Sequence, residues 1–554
     1  MATSIDEADH RNSAPLLPDQ ANGLSSKQWL IAAGSLVLFA VAIRLVWIDF
    51  DLPLAPDVDA GKFVGEANRM VSTGDYRPQD FQYPGGYTYL LALTDCIGGL
   101  KTAYAENLCA RLWSMSLDLG TIVLTGLMAW RLAGPCAAII ALGWLACSTL
   151  NIALCRTAGP DTMLAFWMTA AFWRLIQPRL KWGNILLAGT FVGLAVGTKF
   201  SGLYAAAWLP IVIWIAAGKQ TGLGMSFVYV ASGVAIGVAA FWITTPWFFS
   251  CWSEYAQRFH LEMIIQQSGQ IGRVQLGYCD YLWSPTVTPE QPWLATSLAY
   301  ELGPVSAVVL AVAVLAALAL RGGWKVFGLA IYAVLFVALI SGPGRVKFLR
   351  FLLPMMPVFA VLTGWFCQRY ILLPLRRTTI ACACILTICL AAFPAWKSLT
   401  YVASMRGPSS VSLWREWMSD HVLGGNKVFV SPFFLGDYSD LPFQFASLTR
   451  VGMRQYDVPA DVGPSPERQP LYYADLVRQL RANLVSYVVL NSYFDDGLAA
   501  TPENVRWFPK SVENYAAFRA ALAQNGEMAT KIDGFGSGRC GPTIEVWHLK
   551  TTSH

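Results

Sequence analysis

The sequence predicts a polytopic α-helical membrane protein of about eleven transmembrane helices, followed by a C-terminal external α/β domain. Three observations predict it: an apolar composition, apolar runs of bilayer-spanning length, and a sign bias in the charges between those runs. Of 554 residues, 55% are hydrophobic and only 14% charged, with mean hydropathy +0.44. Soluble proteins carry about 25% charged residues, so a bilayer must solvate much of this surface. The 22 Trp and 21 Tyr suit long membrane–water boundaries. A net charge of +5 gives no reason to expect nucleic acid.

In chain order, residues 1–28 form a polar tail without the apolar core of a signal peptide, predicted as a disordered cytoplasmic segment. Residues 29–395 form the transmembrane part. Its apolar runs fall near 29–48, 112–130, 135–154, 160–173, 184–198, 202–217, 226–246, 300–320, 326–341, 351–368 and 378–395. Most reach the ~17–25 residues a spanning helix needs. The stretch 84–100 is apolar but carries Asp95 and several glycines, which predicts an interfacial helix. Gly189, Gly193 and Gly197 make a small-residue face for close helix packing. Residues 396–554 have ordinary soluble composition, with strand-like runs at 427–430, 484–490 and 543–549 and a helical pattern over 513–525.

Charge tests the topology. With residue 1 in the cytoplasm, the cytoplasmic connections carry Arg131, Arg174, Arg179, Lys181, Lys219, Arg321, Lys325, Arg369, Arg376 and Arg377, and no acidic residue. The positive-inside rule demands this bias. Counting 84–100 as a span would reverse every later loop. Eleven spans leave the C-terminal domain external, together with long external loops at 49–110 and 247–299. The expected location is a cell (inner) membrane, crossed many times, with the last domain external or periplasmic.

Charges that defy the membrane's preferences are the functional clues. The first external loop holds eight acidic residues between Asp51 and Glu106, among them Asp57 and Asp59 in Pro56-Asp57-Val58-Asp59. Asp161 follows Pro160 at a helix start, near Arg156. Basic residues also stand on the external side, where the orientation rule gives them no reason: Lys199, and Arg345, Lys347 and Arg350 in one short loop. A phosphate needs several donors and compensating charge. Carboxylates opposite cations at one surface fit transfer from a lipid-linked phosphosugar, a carboxylate taking the proton of the incoming hydroxyl. The bland alternatives are solvated loops, an Asp favouring a helix dipole, and lipid-headgroup contacts.

At these residues the chain resembles the GT-C glycosyltransferases of the protein O-mannosyltransferase and aminoarabinose-transferase type. The resemblance runs over most of the membrane part. It rests on Pro56 to Asp59, Gly74-Asp75-Tyr76 and the segment from Tyr83 to Leu91. Further along, Arg111, the Arg156–Asp161 stretch, Gly193 to Phe200, and Lys347 to Pro354 match the family pattern in order. The family's adjacent Asp-Glu is here Asp57-Val58-Asp59, so Asp59 is favoured as the base and Asp57 stays open.

The resemblance implies a polyprenyl-phosphate sugar donor and inversion at the anomeric carbon. The acceptor, whether protein, lipid or glycan, is left open. On this reading Asp59, Asp57 and Asp161 are the catalytic candidates, and Lys199, Arg345, Lys347 and Arg350 hold the donor phosphate. Arg156, Tyr83, Glu262 and Arg273 contact substrate. The five His residues are scattered and form no metal pattern; members vary in metal dependence, so no cofactor is assigned, and a divalent cation is compatible. The rival readings are a secondary transporter and a non-catalytic glycan- or lipid-binding membrane protein. A transporter should show charged or broken helices near mid-membrane and an internal repeat, and the sequence reads as having neither.

Overall fold

Each predicted span contains helix in the computed structural model, which describes residues 26–54, 60–268, 278–283, 297–319, 322–341, 348–374, 380–431, 444–445, 476–495, 505 and 509–550. The first is α1 (Ser26–Leu45). Between the first two apolar runs α2 (Ala60–Thr73) is amphipathic, and α3 (Gly86–Gly98) is helical where an interfacial helix was expected. The bundle continues with α4 (Ala103–Ala133), α5 (Pro135–Ala146), the single turn and a half of α6 (Thr149–Leu154), α7 (Asp161–Leu175) and α8 (Trp182–Thr198). Then come α9 (Leu203–Thr221), α10 (Leu223–Thr244) and α11 (Trp252–Ser268). After α12 (Pro304–Leu318) and α13 (Gly323–Ser341), a 3-10 segment (Leu349–Met355) leads into α14 (Met356–Phe366), and α15 (Ile380–Ala403) closes the membrane part. Among the described residues, seven helical segments are long and apolar enough to cross a bilayer; α5, α8 and α12 are apolar but shorter.

The centre of the bundle is α5. Eleven of its residues, Cys136 to Ala146, are buried, as befits a helix that is apolar all round. Gly364 of α14 crosses it so closely that a Cβ there would lie 2.5 Å from the Ala137 carbonyl oxygen. The glycine face of α8 packs on α10: a Cβ on Gly189 or Gly193 would stand 2.2 or 2.1 Å from the carbonyl oxygen of Gly233 or Gly237. The small residues thus let two backbones touch, as the sequence predicted.

The span predicted at 135–154 is broken between α5 and α6. Ser148 caps α6, its Oγ accepting from Asn151 N at 3.3 Å. The freed Leu150 N–H donates to Glu301 Oε1 at 2.9 Å, and Lys397 neutralises Glu301 at 2.8 Å. A second buried pair, Arg44 to Asp118 at 2.6 Å, is completed by Asn151 donating to the other Asp118 oxygen at 2.7 Å. Arg44 is fully buried and Asp118 2% exposed. Taking one partner from such a pair costs about 3–5 kcal/mol, because the other charge stays buried alone. These findings correct the expectation of unbroken spans free of internal charge. Both pairs knit helices together, and Arg44 stands one residue from the end of α1.

The C-terminal domain begins after α15, which runs to Ala403. A five-stranded sheet has the order β2-β1-β3-β5-β4, with β1 (Lys427–Val430), β2 (Gln444–Phe445), β3 (Val485–Asn491), β4 (Gly526–Ile532) and β5 (Ile544–Leu549). β1 runs parallel to β2 and β3, while β5 is antiparallel to β3 and β4. Alternation sends Val428 to one face, against α16 (Ser410–His421), and Phe429 to the other, against α17 (Leu476–Ala482) and α18 (Pro509–Asn525). The result is a three-layer α/β/α domain.

Candidate active site

The site is assembled on α8. Its last residue, Thr198, is followed by Lys199 in extended backbone. The start of α3 abuts this point, since a Cβ on Gly86 would lie 2.6 Å from the Gly197 carbonyl oxygen. Tyr83, just ahead of α3, therefore stands beside Lys199, whose Nζ is 5.6 Å from the ring centroid. From the other side Lys62 of α2 approaches the same ring at 5.1 Å and pairs with Asp80 and Gln82. Lys199 Nζ donates to Asp161 Oδ1 at 2.7 Å. Asp161 opens α7, where the helix dipole favours its charge. The 3-10 segment closes the group, its Phe351 ring 5.3 Å from Lys199 Nζ and Arg350 stacked over Phe348 at 5.0 Å.

Four distant stretches, 62–83, 161, 199 and 350–351, thus meet around one lysine. The pair at the centre is largely shielded, with side chains 13% (Lys199) and 10% (Asp161) exposed. Electrostatically Lys62 and Lys199 are each matched by an aspartate. The aromatic faces of Tyr83 and Phe351 attract cations and flat apolar rims alike. The arrangement suits an anion with an apolar attachment better than a free anion.

An aromatic layer lies beside it. Tyr255 of α11 meets Phe81 at 4.9 Å and Phe248 at 5.2 Å, and Phe200 lies 6.1 Å away. Arg77 bonds Glu254 at 2.8 Å, fastening the segment between α2 and α3 to α11. The Ser253 hydroxyl, then the Glu254 backbone amide, and behind them Arg77, hold the Glu254 carboxyl below its ordinary value. Arg69 orders the same loop by donating to the carbonyls of Asp75 and Arg77 at 3.2 and 2.6 Å.

Of the residues singled out from sequence, Asp161, Lys199 and Tyr83 come together here, while Arg350 precedes Phe351 and stacks on Phe348. Glu262 lies further along α11, paired with Arg258 at 3.1 Å. Arg156 is 4% exposed and directs its guanidinium to the carbonyls of Ile43 at 2.6 Å and Trp47 at 3.3 Å. Asp57, Asp59, Arg273, Arg345 and Lys347 lie outside the described residues. Sequence reasoning did not select Lys62, read only as a balancing charge, nor the buried Arg44, Asp118, Glu301 and Lys397. A charge inside an apolar run was the available signal for Asp118. Among the described residues no group of three or more His, Cys, Asp and Glu side chains could hold a metal ion.

In fold, this helix bundle with its C-terminal sheet is similar to solved structures that include an oligosaccharyltransferase. Residues 81–253, which contain Tyr83, Asp161 and Lys199, match the family model described as dolichyl-phosphate-mannose-protein mannosyltransferase. Among solved structures, ArnT from Cupriavidus metallidurans in the apo state is similar over 93% of this chain and 98% of its own, at 16% identity and TM-score 0.51. The same protein bound to undecaprenyl phosphate gives 14% identity and TM-score 0.51, over 94% and 98% of the two chains. The Archaeoglobus fulgidus oligosaccharyltransferase tethered with an acceptor peptide gives 12% identity and TM-score 0.54, over 89% of this chain and 72% of its own. No curated protein sequence matches the chain.

Proposed function

We propose that the protein is a membrane glycosyltransferase that moves a sugar from a polyprenyl-phosphate donor to an acceptor hydroxyl at the external membrane face, with inversion. One observation carries this reading: Lys199, Asp161, Tyr83 and the 3-10 segment with Arg350 converge within a GT-C fold, and three of those residues lie inside the mannosyltransferase family match. The ArnT structure bound to undecaprenyl phosphate supports a lipid-phosphate donor by analogy of fold.

In the proposed reaction Asp59, with Asp57 as the alternative, takes the proton of the acceptor hydroxyl. The acceptor oxygen bonds to the anomeric carbon, and the bond from that carbon to the phosphate oxygen breaks. Polyprenyl phosphate leaves with the electron pair. Lys199 and Arg350, with Arg345 and Lys347 of the same loop, stabilise its charge, so no general acid is needed. Asp161 holds the Lys199 ammonium in place. Tyr83 and Phe351 flank the sugar–phosphate junction. The N-terminus is cytoplasmic and the α/β domain external, following the charge bias of the loops.

The test is a panel of radiolabelled polyprenyl-phosphate sugars offered to the full-length protein in parent membranes. Transfer from at least one donor is expected, and Lys199→Ala should reduce it by about a hundredfold, the scale of losing one fixed electrostatic donor. Absence of transfer from every donor, or a fully active Lys199→Ala, contradicts the reading.

A further inference from the structure

Helix α10 has the length and composition of a bilayer span, and the chain leaves it at Thr244. That exit lies beside the candidate site: a Cβ on Gly197, two residues before Lys199, would collide with the Thr244 hydroxyl. The apolar surface does not stop there. Ile243 is 77% exposed on the last turn of α10, and beyond it Phe249 is 64%, Trp252 58% and Phe259 52% exposed.

Helix α11 is not a span, since its 17 residues include Glu254, Arg258, His260 and Glu262. Its polar and apolar residues are nonetheless sorted by face. At about 100° per residue, Trp252, Phe259 and Met263 fall within about 40° of one another. On one flank of this stripe Tyr255 is buried against Phe81 and Phe248, and beyond it Glu254 bonds Arg77. On the other flank Ser253, Gln257 and His260 are polar and exposed. The inner edges of Trp252 and Phe259 rest on Phe248 and Phe200, with ring centroids 5.3 and 6.3 Å apart.

A helix standing out from the bundle would hold this stripe against water. A helix lying in the plane of the membrane surface buries it, with aromatic rings at the headgroup boundary and charges turned away. The stripe is also continuous with the exposed apolar side of a span, which already meets lipid. We propose that the bilayer surface is the partner of α11, which lies in the interfacial layer on Trp252, Phe259 and Met263. Because the same helix carries Tyr255 and Glu254, the membrane surface holds the aromatic wall of the candidate site through Phe81 and Arg77. This inference goes beyond the glycosyltransferase reading and stands without it.

The first arm of the test uses wild-type full-length protein in phosphatidylglycerol–phosphatidylcholine nanodiscs, exposed briefly to hydroxyl radicals. Met263 and Met528 of β4 are almost equally open in the protein alone, at 41% and 43%. A helix sunk to the headgroup–acyl boundary should have Met263 oxidised about tenfold more slowly than Met528. Comparable rates overturn the proposal.

The second arm identifies what covers the stripe. Phe259→p-benzoyl-phenylalanine and Met263→p-benzoyl-phenylalanine are irradiated in the same nanodiscs, using only protein that elutes as wild type does. Gln257→p-benzoyl-phenylalanine, about 160° round the helix from Phe259, is the water-facing control. Lipid adducts at 259 and 263, several-fold above those at 257, are expected. Adducts to peptides of this chain or of a second copy show a protein occupant and overturn the proposal. Equal lipid yields at all three positions overturn it too, as does a lack of lipid adducts at 263, the result for a helix that rises away from the bilayer. Neither arm measures sugar transfer, so the outcome is separate from that of the functional reading.

Discussion

Lys199 shows how much one side chain's surroundings decide. It was selected from sequence because a basic residue at the expected external end of a span has no topological reason, and the structure places it against Asp161, Tyr83 and Phe351. Arg156 was selected for its place beside Asp161 in a stretch that matches the family pattern, but its contacts are with the Ile43 and Trp47 carbonyls. A guanidinium has five donors, and a buried one seeks the nearest uncommitted carbonyls; which way it turns is a property of packing that spacing along the chain does not encode. Lys62 was not selected from sequence, and only the fold shows that it reaches the Tyr83 ring. For the proposed base the discriminating comparison is Asp59→Asn against Asp57→Asn in a transfer assay. Asp59→Asn should lower kcat by about a hundredfold or more, the scale of losing a general base, and Asp57→Asn should do less. Near-normal turnover in Asp59→Asn removes it from the role.

At the scale of elements, apolar periodicity and length located the helices, and the glycine repeat of α8 gave its packing face in advance. The break between α5 and α6 was not legible, because the Glu301 carboxylate that satisfies the exposed Leu150 amide comes from a segment about 150 residues away. The strand Gly526–Ile532 was missed for another reason: its residues are mostly exposed, so no alternation of apolar side chains marks it. Substituting Gly193 by Leu should separate α8 from α10 at a cost of about 1–3 kcal/mol or more, read as a lower thermal midpoint in detergent. An unshifted midpoint is inconsistent with the observed backbone approach. In the C-terminal domain, Arg519 of α18 pairs with Glu545 of β5 at 2.7 Å. Burial alone would raise the Glu545 carboxyl, but the Arg519 hydrogen bond and charge outweigh it and leave it below its ordinary value. The pair therefore adds stability above the carboxyl's unfolded-state value, and the gain is lost as pH falls through the lowered one. Glu545→Gln should cost about 1 kcal/mol at neutral pH, given that both groups are partly exposed, and the difference from wild type should vanish in acid below the usual glutamate range. A difference that persists there rejects the ionic account.

The whole molecule joins a membrane bundle to an α/β/α domain through α15 and the bonds that Ser409 and Ser412 donate to Asp51, and the candidate site lies where α2, α3, α7, α8 and the 3-10 segment approach one another. The general architecture was legible because a bilayer imposes length, polarity and sign on every span. The site was legible only as a list of anomalous charges, since their meeting depends on how the helices are arranged around α5. The central claim is that these charges grip a lipid-linked phosphate. It is tested most directly by determining the structure in nanodiscs with a polyprenyl phosphate bound. The account predicts the phosphate within hydrogen-bonding reach, about 3 Å, of Lys199 Nζ or the Arg350 guanidinium, at the external boundary of the bilayer and facing Asp59. A phosphate seated elsewhere, or Asp59 and Arg350 resolved on opposite sides of the membrane, would contradict it.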